Sequence, residues 1–245
     1  MFGRRLGRLG GNGLVKPHSE PPSMKLLVSG GPTHEYLDDV RFLGNPSTGA
    51  LGIAIATAAR DAGHEVTLVL GPTHLPDPPH LRVVRVVSAL DMLAAIQGQM
   101  KEADALIMTA AVADYRPKRR VVGKIKKSGN ELSLPLVKNP DILATCGKMP
   151  HHVVLVGFAL EAADDAAALD FAQKKLAAKN LDLIVLNRSG SFAGPTMESV
   201  KVLYRGGDVR DLGAPSKAEL ALWLVSACET LVKNRHGNAG PQPRS

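Results

Sequence analysis

Cysteine is scarce in this sequence: 245 residues contain only Cys146 and Cys228, and both fall on separate predicted helices. Two thiols so placed exclude a disulfide framework and point to a reducing, cytoplasmic setting in which they are buried or idle. No uninterrupted apolar run approaches the roughly 18 residues of a membrane span, so no membrane role is expected. The opening MFGRRLGRLGGNGLVKPHSEPPS has a positive start but no apolar core of about 7–15 residues, so it does not fit a secretory signal. The eight histidines are scattered, with no Cys/His spacing that suits zinc and no Ser-His-Asp order.

Acidic charge is also in short supply, and the formal net charge is +7. Residues 1–23 carry a net +3 and residues 233–245 another +3, which leaves +1 to residues 24–232. The basic excess belongs to the tails, so nucleic acid is not an expected partner of the folded body. Residues 1–23 are Gly- and Pro-rich and are expected to be a disordered extension, with Met24 opening the first strand. Residues 234–245 are expected to be a disordered tail.

From Lys25 onward, short apolar runs alternate with helical patterns, the rhythm of βαβ units and a parallel sheet covered on both faces. Strands are expected at 25–30, 65–71, 82–87, 104–110, 152–159 and 182–187, and helices at 49–63, 88–103, 164–180 and 216–233. Gly63 is placed as a helix stop, Ser88 with Asp91 as a helix start, and Ser216 with Glu219 as a capping pair. VVGKIKKSGNELSLPLV (121–137) and SVKVLYRGGDVRDLG (199–213) read as hairpins. The expected fold is a single α/β domain over 24–233, a Rossmann-like three-layer sandwich with a mostly parallel central sheet and a projecting β-hairpin flap at about 117–137.

Ligands of such sheets bind beyond the carboxyl ends of the strands. The segments there are GGPTHEYLDDVRFLGNPSTG, AAVADYRPKRR with the lysine hairpin, GFALEA and LNRSGSF. The first turn, Ser29 to His34, lacks G-x-G-x-x-G spacing and Pro32 removes an N–H donor, which disfavours a dinucleotide-binding oxidoreductase. GNPSTGALG has the glycine spacing of a phosphate loop, but Ala50 and Leu51 stand where a P-loop carries Lys and Ser/Thr. Gly44, Ser47, Thr48 and Gly49 nevertheless precede a helix, where N–H groups and the dipole favour an anion, and Asn45 adds an amide donor. Within KIKK, a strand would send Lys124 and Lys126 to one side and Lys127 to the other. Asn139 and Pro140 open another helix, Lys175 and Lys179 share a helix face, and Asp38-Asp39 offers a weak magnesium signal.

Taken in order, SGGPTHEYLDDVRFLGNPSTGALG, TAAVADYRP, the KIKK hairpin, LVKNPDIL, VGFALE and QKKLAAKNLDLIVLN resemble phosphopantothenoylcysteine synthetase, the phosphopantothenate–cysteine ligase family of coenzyme A biosynthesis. The resemblance runs from about Lys25 to Leu231. It implies a homodimeric, nucleotide-binding enzyme that uses CTP and Mg2+ to join 4′-phosphopantothenate to L-cysteine through an acyl-cytidylate. Position by position, it implies that Asn45 contacts the acyl intermediate, Arg41 serves the second step and Lys124 serves the first. Ala110, Ala111, Asp114, Pro140, Asp141, Ile142, Leu143, Phe158, Lys175 and Lys179 would contact the nucleotide. Bacterial members commonly carry Lys where this chain has Ala50. Many relatives also fuse a flavin-dependent decarboxylase ahead of this domain; here a stand-alone ligase is expected, with that decarboxylase encoded separately. The alternatives are an NAD(P)- or flavin-binding oxidoreductase and a non-catalytic nucleotide-binding protein.

Overall fold

A computed structural model describes residues 23–127, 129–161, 165–188 and 197–238. The expected extension up to residue 22, the segment after LNR and the chain beyond 238 lie outside the described residues. In chain order the elements are β1 (Lys25–Gly30), β2 (Glu35–Tyr36), β3 (Phe42–Leu43), α1 (Ala50–Asp61), β4 (Glu65–Leu70), β5 (Arg82–Arg85), α2 (Ala89–Gln97), β6 (Ala105–Met108), β7 (Tyr115–Pro117), β8 (Leu136–Lys138), α3 (Ile142–Lys148), β9 (Val154–Glu161), α4 (Asp165–Ala178), β10 (Leu183–Arg188), β11 (Val200–Tyr204), β12 (Val209–Gly213) and α5 (Lys217–Asn238).

Eight strands form one sheet in the order β12-β11-β10-β9-β6-β1-β4-β5. The six from β5 to β10 are parallel, and β11 and β12 add an antiparallel edge. Renumbering the parallel strands by sequence gives 3-2-1-4-5-6, the doubly wound Rossmann order. Strands such as KLLVSG read as continuous apolar runs because both faces are covered. On one face α1 and α5 bury Ile55, Ala59, Leu220, Leu224 and Cys228 against Leu26, Val28, Val156 and Val185. On the other, α2, α3 and α4 bury Met92, Ile96, Leu143, Cys146 and Leu176 against Leu27, Leu106 and Leu155.

Helix α1 approaches β1 unusually closely. A Cβ on Gly52 would sit 2.8 Å from the Gly30 Cα and 2.9 Å from the Thr109 hydroxyl oxygen, so only glycine fits there. Gly63 takes a left-handed conformation (φ 87°) just past α1, and Ser88 with Asp91 forms a complete capping box on α2. Both thiols are free and buried, and burial pushes Cys146 up to about 11 and Cys228 up to about 12.

Two expectations need correction. The flap's strand ladder is not at KIKK: β7 pairs with β8 at its base, and none of the described residues between them is in a strand. The alternation expected of Lys124, Lys126 and Lys127 therefore does not exist, because no neighbouring strand offers a ladder to hold that segment extended. Helix α5 runs on to Asn238, so residues 234–238 are helical rather than tail. Arg235 anchors that extension through the carbonyls of His152 and Val153 and the carboxylate of Asp182.

Candidate active site

After β1 the chain turns towards β4, whereas β6 continues on its other side towards β9, so the segments leaving β1 and β6 diverge at the topological switch point. They stay bonded beyond the strands. Ala111 N–H donates to the Gly31 carbonyl at 2.9 Å and Thr33 N–H to the Ala111 carbonyl at 3.2 Å. The buried Thr33 hydroxyl accepts from Ala113 N–H at 3.0 Å, which fixes the AAVAD segment as a rigid wall. The turn after β1 is packed against other backbone: a Cβ on Gly71 would meet the Pro32 carbonyl oxygen. A dinucleotide's pyrophosphate needs that turn open, so the geometry agrees with the missing G-x-G-x-x-G spacing.

A cavity of about 450 Å³ opens between the GNPSTG loop and the ends of β6, β9 and β10. Gly49 enters α1 in the left-handed region (φ 76°), and no side chain caps the helix. The hydroxyls of Ser47 and Thr48 each accept from the N–H two residues on, at 3.3 Å, forming local turns that hold the loop. Asn45 points its amide across the crevice and donates to the Val112 carbonyl at 3.0 Å. This arrangement suits an anionic or carboxylate group beside the helix start.

A second cavity of about 270 Å³ adjoins it, with Ala110 and Phe158 lining both. Its walls include Asp114, the α3 start at Pro140–Leu143, and Lys179. The Asp141 side chain caps α3 by accepting from Ala144 N–H at 2.9 Å and pairs with Lys179 at 2.8 Å. Burial alone would raise the Asp141 carboxyl, but Lys179 and the Ala144 N–H hold it below its ordinary value. The buried Asn139 donates to the Ala113 carbonyl at 2.8 Å and accepts from Arg116, so the two loops that form this cavity are stapled together.

The flap is tied to the loop after β2. Asp38, fully buried, accepts from the N–H groups of Val40, Arg41 and Ile125 and from the Arg41 guanidinium. Arg41 also donates to the Ile125 carbonyl at 3.0 Å. The Arg41 side-chain bond is the main reason the Asp38 carboxyl is held well below the usual carboxylate range. Asp39 accepts from Gly123 N–H at 2.7 Å and from Arg120 at 2.9 Å, and both bonds lower its pKa. The acidic pair read from sequence as a magnesium signal is thus occupied in fixing the segment on either side of Lys124.

The structure brings together Asn45, Ser47, Thr48 and Gly49 in the first cavity, Asp114, Pro140–Leu143 and Lys179 in the second, and Ala110 and Phe158 between them, with Ala111 in the first. Gly44, Arg41, Lys124 and Lys175 line neither. Gly44 packs against the Thr33 carbonyl, Lys124 is exposed on the flap, and the Lys175 ammonium lies 4.1 Å from the Phe171 ring centre. Sequence reasoning missed Thr109, Asn187 and Lys217, which also line the first cavity. Asn187 was findable as the polar residue ending the apolar run LDLIVL on the ligand-binding edge, while Lys217 looked like an ordinary residue of a capped helix.

A doubly wound sheet with paired cavities at its switch point defines a Rossmann-like α/β domain with a ligand crevice at the carboxyl ends of its strands. Residues 22–231 match the model of the DNA/pantothenate metabolism flavoprotein C-terminal domain, and the chain belongs to that family. It is 38% identical over 212 residues to the coenzyme A biosynthesis bifunctional protein CoaBC of Bacillus subtilis, covering 85% of this chain and 52% of that protein. The corresponding protein of Escherichia coli K12 is 42% identical over 175 residues, covering 70% of this chain and 42% of the relative. The chain therefore spans about half the length of the curated relatives it matches. Among solved structures, the C-terminal domain of a CoaBC protein superposes with a TM-score of 0.75 at 36% identity, over 88% of this chain and all of that one. Cab2 in complex with phosphopantothenate-cysteine gives a TM-score of 0.68 at 17% identity, over 87% of this chain and 89% of that one, a likeness of fold. Among the described residues, no helix is long and apolar enough to cross a membrane.

Proposed function

We propose that this chain is a phosphopantothenate–cysteine ligase acting in coenzyme A biosynthesis. The observation that carries the reading is the pair of cavities sharing Ala110 and Phe158 in a chain of this family. One cavity suits an acid substrate beside Asn45 and the α1 start and the other a nucleotide, and ligands meeting at their common wall would have a carboxylate beside an α-phosphorus.

In the first step, the carboxylate of 4′-phosphopantothenate attacks the α-phosphorus of CTP. A carboxyl oxygen–phosphorus bond forms as the bond to pyrophosphate breaks. Asn45, as a neutral donor, orients the carboxylate without quenching its nucleophilicity, and Lys124 on the flap balances charge on the departing pyrophosphate. The cysteine amine then attacks the acyl carbon and CMP leaves, which forms the amide. Because Arg41 is bound to Asp38 and to the Ile125 carbonyl, its part in the second step would be to set the flap over the acyl-cytidylate. Magnesium enters with the nucleotide as part of the substrate. Among the described residues, no group of three His, Cys, Asp or Glu side chains is arranged to hold a resident ion, and nucleotide-bound Mg2+ characteristically relies on phosphates and water. Preference for CTP over ATP would be set around Ala110, Asp114 and Phe158. The reading includes a homodimer, for which Val122 (93% exposed), Val40 and Tyr115 around the flap supply apolar surface.

The test is pyrophosphate release from CTP or ATP with 4′-phosphopantothenate and magnesium, with and without cysteine. Sustained, cysteine-dependent release with CTP is expected, and Lys124→Gln should cut kcat by about 10²–10³-fold, the scale of a lost transition-state donor. A folded protein that releases no pyrophosphate from either nucleotide refutes the ligase reading.

A further inference from the structure

Polar side chains buried in this molecule are almost all partnered. Ser29, Thr33, Glu35, Asp38, His64, Asn139 and Asp182 each hydrogen-bond to backbone or to another side chain. Among the described residues, two buried side-chain polar atoms have no partner: His151 Nε2 and Asn187 Oδ1. His151 lies just before β9, at the sheet edge away from the crevice, and its other ring nitrogen meets the Val153 carbonyl. Asn187 is the penultimate residue of β10 and lines the first cavity.

The placement of Asn187 follows from the strand period. It shares a face with Leu183 and Val185, which pack in the core beneath α1 and α5. Its partners in register are Leu160 on β9 and Val200 on β11, neither of which has a polar side chain. The cavity lining mixes apolar Leu51, Phe158, Leu160 and Met197 with polar Ser47, Thr48, Thr109 and Lys217. A carboxamide oxygen shielded from water among such neighbours is destabilised unless something donates to it, and the residue that carries it lines the cavity.

We propose that Asn187 is a specificity-determining residue of the first cavity, accepting a hydrogen bond from the hydroxyl or amide N–H in the middle of the acid substrate. This rests on the ligase reading above. The chemistry matches: 4′-phosphopantothenate carries that hydroxyl and amide beside a quaternary dimethyl carbon, a donor set in an apolar segment, as Asn187 is an acceptor flanked in the sheet by Leu160 and Val200. A nucleotide is a poorer match, because Asn187 does not line the second cavity. A site built to accept from a substrate hydroxyl or N–H rejects an analogue lacking it, since its own polar atom is left unpaired.

The experiment compares wild type with Asn187→Leu, using steady-state kinetics, thermal melts and two substrate analogues, one lacking the hydroxyl and one N-methylated at the amide. Asn187→Leu should raise KM for 4′-phosphopantothenate about tenfold or more. KM for CTP should stay within about twofold, and ligand-free Tm should be unchanged or higher, because an unpaired buried polar atom has been removed. Wild type should lose a similar factor with one analogue, and the variant should be indifferent to that analogue. An active wild type that accepts both analogues as well as the parent acid overturns the inference, and this arm needs no variant to fold. So does a folded Asn187→Leu with unchanged KM for the acid. A wild type that releases no pyrophosphate removes the ligase reading and this inference with it.

Discussion

At the N-terminal ends of β9 and β10, Asp182 accepts from Leu155 N–H at 2.8 Å and pairs with Arg235, whose guanidinium also serves the His152 and Val153 carbonyls. At the C-terminal ends of the same strands, Phe158, Leu160 and Asn187 line a cavity, and the Asn187 oxygen has no partner. Both ends are hollow. The lower one holds a depression of about 500 Å³ lined by Asp182, Arg205 and Arg235. Yet Arg205 donates to the Leu181 and Asn180 carbonyls, leaving its charge, like that of Arg235, tied to the protein itself. Farther along the lower edge, His64 Nδ1 accepts from Met24 N–H, so Nε2 carries the proton towards Glu229. Volume alone therefore does not mark the site. The charges lining the lower hollow are committed to the fold, whereas the lining of the upper cavity includes a residue with an unpartnered buried oxygen, Asn187.

The largest effect expected from breaking this contrast is at the committed edge. Asp182→Ala leaves the Leu155 N–H without its acceptor and Arg235 with only the His152 and Val153 carbonyls, and a buried donor left unpaired costs about 1–3 kcal/mol. Urea unfolding should show that loss, while kcat/KM of the protein still folded stays within about twofold of wild type. A loss of activity at unchanged stability would instead place function at the lower edge.

Next in size is the flap, which is held by charges yet stands beside the open edge. Asp38→Asn removes the carboxylate that accepts from Arg41 and Ile125 while leaving the core of the sheet untouched. We expect kcat to fall about tenfold, the scale of one charge-assisted hydrogen bond, with hydrogen exchange speeding up between 118 and 127 and Tm little changed. Because the folded carboxyl is held below its ordinary value of 3.8, its anchoring is fully present above that pH and is lost only as pH falls towards the folded value. The wild-type rate profile should accordingly show no acid limb from Asp38 above about pH 5. An unchanged kcat with faster exchange would mean the flap is anchored but idle.

The same contrast explains what the sequence made legible. The parallel core was readable because continuous apolar runs and helical periods are local signals, and the site's main loops followed from knowing which strand ends they leave. The flap was not: KIKK alternates like a strand, but pairing depends on a distant partner, and the partners that exist are Tyr115–Pro117 and Leu136–Lys138. Asp38 and Asp39 looked like metal ligands because Ile125, Gly123 and Arg120, which occupy them together with the neighbouring Arg41, lie more than eighty residues away in sequence. Lys175 and Lys179 were expected to share a helix face, but α4 ends at Ala178, and Lys179 just beyond it lines the crevice, where Asp141 at the start of α3 pairs with it. The place of Asn187 on the ligand-binding edge was legible, but its unpartnered oxygen was not, because being unpartnered is a property of the assembled fold.

The smallest expected effect tests the open edge by adding to it. Ala50 is the first residue of α1 and lines the first cavity, where Lys217 at the start of α5 is the one charged lining residue among the described residues. A lysine introduced at position 50 would sit at the positive end of the helix dipole, which costs about 0.3–1 kcal/mol. It would also attract the substrate's phosphate, and a partly exposed ion pair contributes a similar amount, about 0.2–1 kcal/mol. The two oppose each other, so Ala50→Lys should shift KM for 4′-phosphopantothenate by less than about threefold and lower Tm slightly. Lys217→Met should raise that KM, and adding Ala50→Lys should recover part of the loss, since either residue supplies the cavity with one cation. A fall in KM of more than about tenfold on Ala50→Lys alone would mean that the cavity lacks a cation it needs and that Lys217 does not face the anion.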